Sequence, residues 1–313
     1  MCPPRPLRDL LQTERALVTG ASGLIGAALT RLLVAEGLDV LGVSRGAPIP
    51  QGARAKHRDL SEPGAFTQLL DAERPTLVFH LACPVDNRRD DTLIPHFERA
   101  LLQPHAELTA ACLTFGARLV VVGTCEEYGD GEAPFREDQP ARPVSPYSAA
   151  KALATTRTLE LCRQGLRAAV ARPFLTYGPG DRSARLVPTA LAAALANQPF
   201  PMTDGAQTRE LNHVEDIALG VARCAAPEAQ GQIVNIGGGE ELPVVELVRA
   251  VYRAVGADPG LIKPGALPRR SGEVARFCGD HTKAQTLLGH RPQIPLPIGL
   301  AALVAGYTPP ESP

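Results

Sequence analysis

The sequence has no tryptophan, and aromatic residues fill only 4% of its 313 positions. Lysine is nearly absent, while Ala, Arg and Pro are abundant. We read that bias as base composition, with little bearing on function. No apolar run approaches the ~18 residues of a membrane span. The first residues, "MCPPRPLRDLLQ", lack the apolar core of a secretion signal. The cytoplasm is therefore the expected location. A net charge of −1 argues against nucleic acid or an anionic membrane as the main partner. None of the seven cysteines forms a CxxC pair, which argues against a zinc site and a disulfide framework. No metal site is expected.

What is present is an alternation of short apolar runs and helical patterns. Ala16–Gly20, Asp39–Arg45, Ala55–Leu60, Thr76–Ala82 and Arg118–Thr124 read as strands. The last two are continuously apolar, as strands covered on both faces must be. Leu24–Gly37 has helical periodicity and ends on a glycine. This order predicts an α/β fold with a Rossmann-type, doubly wound parallel sheet. Leu166–Phe174 reads as one more sheet strand. Beyond about Gly178, Pro and Gly become frequent and strands sparse, with Ile233–Gly238 as one short candidate. The expected division is a dinucleotide domain over 1–177 and a smaller, interleaved substrate lobe over 178–313.

"TGASGLIG" (Thr19–Gly26) follows a strand and opens a helix. Gly20, Gly23 and Gly26 would permit the tight turn and close backbone approach that a pyrophosphate needs. The helix start at Leu24, Ile25 and Gly26 offers free N–H groups to the phosphates, with Ser22 in the same loop. At the end of the second strand stand Ser44 and Arg45, with no acid until Asp59. A hydroxyl and a guanidinium suit a 2′-phosphate, so NADP(H) is favoured. NAD(H) stays open if Arg45 is merely solvated. Asp59 and Leu60 are placed to touch the adenine.

"SPYSAAK" puts Tyr147 and Lys151 four residues apart, on one face of a helix, with Pro146 in its first turn. Together with "TGASGLIG", "HLAC" (His80–Cys83), "VVGTCEEYG" (Val121–Gly129) and "RPFLTYGPG" (Arg172–Gly180), it resembles the extended short-chain dehydrogenase/reductase family. The branch it looks like is that of nucleotide-sugar epimerases, dehydratases and 4-keto reductases. The likeness continues through "QTRELNHVEDIA" (Gln207–Ala218), "VNIGGG" (Val234–Gly239), "RSGEV" (Arg270–Val274) and "DHTKA" (Asp280–Ala284).

The resemblance implies roles for these residues. Tyr147 would be the acid/base at a sugar oxygen. Lys151 would hold the nicotinamide ribose and lower the tyrosine pKa. Thr124 would bond the reacting oxygen. Leu81, Ala82 and Pro173 would border the cofactor. Thr124-Cys125-Glu126 matches the outer members of a Thr-x-Glu sequence whose Glu serves dehydratases as base at sugar C5. Cys125 stands where dTDP-glucose dehydratases often carry Asp, and a thiol is a weak donor. A similar "EEYG" ending occurs in some 4-keto-6-deoxy reductases, and Glu126 could also be a solvated loop residue. Cys125, Val187, Arg209 and Arg270 would meet the nucleotide sugar, the arginines gripping its diphosphate. His213 reads as structural. The helix before the fifth strand departs from the family's Asn-Val-x-Gly-Thr start, reading "ALLQPHAEL" (Ala100–Leu108), with Pro104 expected near its beginning. The implied function is an NAD(P)-dependent enzyme acting at C4 of a nucleotide-diphosphate sugar. The leaning is to an NADPH-dependent 4-keto-6-deoxyhexose reductase. A 4-epimerase or 4,6-dehydratase is the alternative, and a non-catalytic dinucleotide sensor a minor one. Relatives suggest a homodimer.

Overall fold

The computed structural model describes residues 5–238, 241–269 and 274–307. Seven parallel strands form the main sheet: β1 (Arg15–Thr19), β2 (Asp39–Ser44), β3 (Arg54–His57), β4 (Leu77–His80), β5 (Arg118–Val122), β6 (Ala168–Pro173) and β7 (Ile233–Ile236). Their order is β7-β6-β5-β4-β1-β2-β3. The direction of winding reverses between β1 and β4. Ligands of such sheets bind at the carboxyl ends of the strands flanking that reversal.

Burial explains the apolar runs. One face of the sheet packs on the helices Leu24–Ala35 and Val214–Arg223, with Leu29, Leu33, Ile217 and Val221 fully covered. The other face packs on Ala65–Glu73 and Gln103–Phe115, through Phe66, Leu69, Leu70 and Leu108. A separate apolar cluster, with Tyr177, Val187, Leu191, Val248 and Tyr252, holds the later helices Leu186–Leu195 and Val244–Val255 together. No helix among the described residues is long and apolar enough to cross a membrane.

The structure refines the sequence reading at four places. Ile233–Ile236, read as part of a smaller lobe, is an edge strand of the main sheet, paired with Val170–Pro173. The third strand stops at His57, and Asp59 instead closes a turn by accepting from the Ser61 amide and hydroxyl (2.9 and 2.7 Å). The fourth strand stops at His80 because the next two amides turn to the Thr19 side chain, as described below. Pro104 sits in the first turn of the helix Gln103–Phe115, as expected, but that helix continues an earlier one. Helical structure runs from Ile94 to Phe115, and a π-helical turn at Glu98–Leu102 lies just before the proline. There the Gln103 amide bonds the Glu98 carbonyl, five residues back. A widened turn accommodates a residue that lacks an N–H and crowds the preceding carbonyls.

Candidate active site

The phosphate loop is built by glycine geometry. Gly20 has φ +68°, and a Cβ there would lie 2.9 Å from the Ala82 nitrogen. A Cβ on Gly26 would lie 2.1 Å from the Gly20 carbonyl oxygen. The loop is therefore folded tightly against the β4 end. Thr19 Oγ1 accepts from the Leu81 and Ala82 amides (3.1 Å each) and bonds His80 Nδ1 (2.9 Å). Gly23 caps the helix Leu24–Ala35 with no side chain on its first amides. Ser22 and Gly23 are exposed, Leu24 and Ile25 half-buried. This cradle fits a dinucleotide. Gly20, Gly23, the first amides of the helix and the Leu81–Ala82 segment would hold it.

At the end of β2 the Ser44 hydroxyl is already used. It donates to the Ala47 carbonyl (2.7 Å) and bonds His57 Nδ1 (3.1 Å). Arg45 is exposed beside Asp59, whose carboxyl is held low chiefly by the Ser61 hydroxyl, then by the Ser61 amide, with a smaller contribution from Arg45. Leu60 is buried, as is Pro173 at the end of β6.

The chemistry-bearing residues meet at the ends of β5 and the helix Pro146–Cys162. Ser145 caps that helix and exchanges bonds with Ser148, so "SPYS" is a capping box with Pro146 in the first turn. Tyr147 and Lys151 are both buried on it. Lys151 Nζ donates to the Val122 carbonyl (2.8 Å), which ties the helix to the β5 end. Thr124 caps the short turn Cys125–Tyr128 and lies near enough to Tyr147 to oppose the rise in its pKa. Burial pushes the Tyr147 phenol well above its ordinary pKa, and the nearby Cys83, Glu126 and Cys125 push the same way. The expected lowering by Lys151 is thus not the direction found in the chain by itself, where burial is the largest cause.

The two adjacent glutamates have different fates. Glu127 is fully buried. It accepts from the Thr124 amide (2.9 Å) and from Arg172 (2.6 Å), whose guanidinium also lies over the Tyr128 ring. Glu126 is half-buried and accepts from the Asn87 amide group (2.5 Å). Burial raises its pKa to about 7, opposed by Arg185. Cys125 is buried, and desolvation raises its thiol well above the ordinary value.

The remaining candidates are dispersed. Val187 sits inside the apolar cluster of the later helices rather than on an open wall. Arg209 donates to the Thr208 and Val274 carbonyls (2.7 and 2.9 Å). Arg270 lies outside the described residues. His213 caps the helix Val214–Arg223, consistent with a structural role. Asn87 was missed. It lies in "PVDNRRDD", which has no periodicity or motif to single it out. Among the described residues no group of three His, Cys, Asp or Glu could hold a metal ion.

Comparison with known proteins gives this geometry a family. Residues 16–237 match the model of the "NAD dependent epimerase/dehydratase family". The chain is 33% identical to a dTDP-glucose 4,6-dehydratase of Streptomyces griseus, over 94% of each chain. It is 32% identical to a UDP-glucose 4-epimerase of Mycolicibacterium smegmatis, covering 93% of this chain and 97% of that one. The solved structure of MoeE5 in complex with UDP-glucose and NAD superposes with a TM-score of 0.83 at 31% identity, covering 93% of this chain and 97% of that one. With its seven-stranded sheet, glycine cradle and buried Tyr147–Lys151 pair, the chain belongs to the NAD dependent epimerase/dehydratase family of enzymes.

Proposed function

We propose that the chain oxidises C4 of a nucleotide-diphosphate sugar and reduces the product again within one turnover, as a 4,6-dehydratase does. The observation that carries this reading is Glu126. A carboxyl withdrawn from water beside Tyr147, with its pKa raised to about 7, suits a general base at neutral pH. When bound, NAD supplies the hydride acceptor and, once reduced, the donor. Tyr147 takes the C4 hydroxyl proton as that carbon becomes a ketone. To do so it must first be the phenolate, which the Lys151 ammonium one turn along the helix favours. The ketone acidifies the C5 proton, and Glu126 would remove it as the C6–oxygen bond breaks. That oxygen would leave as water with the proton Glu126 took up. The C5=C6 bond so formed would take the hydride at C6 and a solvent proton, through Glu126, at C5. Cys125 occupies the place from which an acid would serve the departing C6 oxygen. Its thiol stays neutral and is a weak donor. Arg209, and Arg270 beyond the described residues, would grip the diphosphate.

The test is incubation of the NAD-loaded protein with dTDP-glucose or UDP-glucose in D2O. Deuterium at C5 and a 4-keto-6-deoxy product are expected, and both should be lost in Glu126→Gln. A 4-epimerised hexose with no label at C5 would overturn the assignment of Glu126.

A second reading, the NADPH-dependent 4-keto-6-deoxyhexose reductase, is favoured by two observations. Arg45 is exposed just past β2, with no acid following it in sequence until Asp59, and Tyr147 is held in the neutral form that donates a proton. Against it, the Ser44 hydroxyl is engaged elsewhere. Consumption of one NADPH per 4-keto-6-deoxy sugar nucleotide would decide for this reading.

A homodimer is part of the same proposal. A groove of about 480 Å³ runs between Asp91–Leu102 and Pro143–Leu153, with Ile94 and Leu153 exposed beside it. Leu153→Glu should convert a dimer to monomer in sedimentation velocity.

A further inference from the structure

We infer that Asn87 is a positioning residue for Glu126, holding its carboxyl so that one oxygen is bonded and the other faces the cleft. The inference rests on the assignment of Glu126 as base.

The bond joins two strand ends. Asn87 belongs to the irregular segment after β4, and Glu126 to the turn after β5. Asn87 Nδ2 donates to Glu126 Oε1 at 2.5 Å, across 39 residues of sequence. The segment around Asn87 is fixed by its own charges. Asp86 accepts from the Arg88 amide (3.1 Å) and from its guanidinium (2.6–3.0 Å). Asp90 accepts from the Thr92 amide (3.0 Å) and hydroxyl (2.6 Å). Both flanking carboxylates are thus satisfied locally, and the amide between them is directed at the active site.

An amide suits this task. It cannot ionise, so it holds the carboxylate without adding a like charge. A hydrogen bond to the ionised form favours that form, against the burial that disfavours it. The groups around Glu126 are Arg185, from the segment before the helix Leu186–Leu195, Cys125 on its own turn and Tyr147 on the facing helix. Arg185 acts from a distance and is itself bonded to Asp181 (3.2 Å). The direct hydrogen bond to the carboxyl comes from Asn87.

Two readouts test the inference, one of which needs no turnover. In protein labelled with ¹³C at glutamate carboxyls, Glu126 is assigned by its loss in Glu126→Gln. Its titration midpoint should rise by about one unit in Asn87→Ala and by more in Asn87→Asp, which adds a negative charge. With dTDP-glucose and UDP-glucose in D2O, Asn87→Ala should slow C5 exchange about tenfold. The acid limb of its pH profile should move up with the midpoint, KM staying unchanged. Because Asn87 is exposed, these variants should keep the wild-type melting temperature at pH 5, where Glu126 is protonated in all of them. An unmoved midpoint in Asn87→Ala overturns the inference. So does a raised KM at constant kcat, which would make Asn87 a sugar ligand. If Glu126→Gln exchanges C5 as fast as wild type, the dehydratase reading fails as well. If Glu126→Gln is inactive while Asn87→Ala titrates and exchanges normally, only the role of Asn87 fails.

Discussion

Two carboxylates near enough to Cys125 to act on its thiol, Glu126 half-buried and Glu210 fully buried, are held very differently. Glu210 lies where the segment Thr208–Glu210 meets the end of β7. It accepts from the Gly238 and Gly279 amides (2.9 Å each), the Asn212 side chain (3.0 Å) and His281 (2.9 Å). Despite its burial, those partners hold its pKa below the ordinary value. Glu126 has the Asn87 amide and a distant arginine, and burial raises its pKa to about 7. Burial alone does not mark a reactive acid. A carboxylate saturated with donors is fixed in its charged form and pins the chain together. One that is desolvated but under-bonded can exchange a proton near neutral pH.

The largest expected effect separates the two by stability. Glu210→Ala leaves His281 and two glycine amides without their acceptor in a dry interior. It should cost about 3–5 kcal/mol in urea unfolding. A loss under 1 kcal/mol would mean that Glu210 is not the clasp its bonds suggest.

Next comes turnover. Glu126→Gln should reduce kcat by about 10²–10³-fold, as expected for loss of a general base. Its stability should move the other way. The folded-state pKa of Glu126 is raised from 4.5 to about 7, so its ionisation opposes folding increasingly as pH rises through that window. The stability advantage of Glu126→Gln over wild type should therefore grow between pH 5 and pH 8. An advantage that shrinks would contradict the assignment.

The smallest effect is a slope. The His281 pKa is raised above 6.5, so its contribution is complete below 6.5 and is lost as pH rises through the raised value. The contribution of Glu210, lowered from 4.5, is complete above 4.5 and is lost as pH falls through the lowered value. His281→Asn should thus cost most between about pH 5 and 6.5 and less at pH 9. A cost independent of pH would mean that packing, not charge, links the pair.

Much of the candidate site's local structure was legible because short-range chemistry dictates it. A glycine loop between strand and helix, and a serine-capped helix carrying Tyr147 and Lys151, are short-range patterns. What escaped depends on distant partners. Periodicity identifies Ile233–Ile236 as a strand but cannot say which sheet accepts it. The Ser44 hydroxyl looked available for a ribose phosphate until His57 and Ala47 were seen to occupy it. Val187 was a plausible pocket residue by position, yet packs in the core. Pro104 does open the helix Gln103–Phe115, but nothing in the spacing shows the π-helical turn at Glu98–Leu102 that joins it to the helix before. Asn87 matters through one bond to a residue far along the chain, which no spacing reveals.

The most direct test of the contrast is titration of both carboxyls in ¹³C-glutamate-labelled protein, assigned with Glu126→Gln and Glu210→Gln. Glu126 should titrate with a midpoint near 7, while Glu210 stays ionised at every pH above its ordinary value of 4.5. A Glu126 midpoint near 4.5 would remove the poised base from the active site, and the proposed C5 chemistry with it.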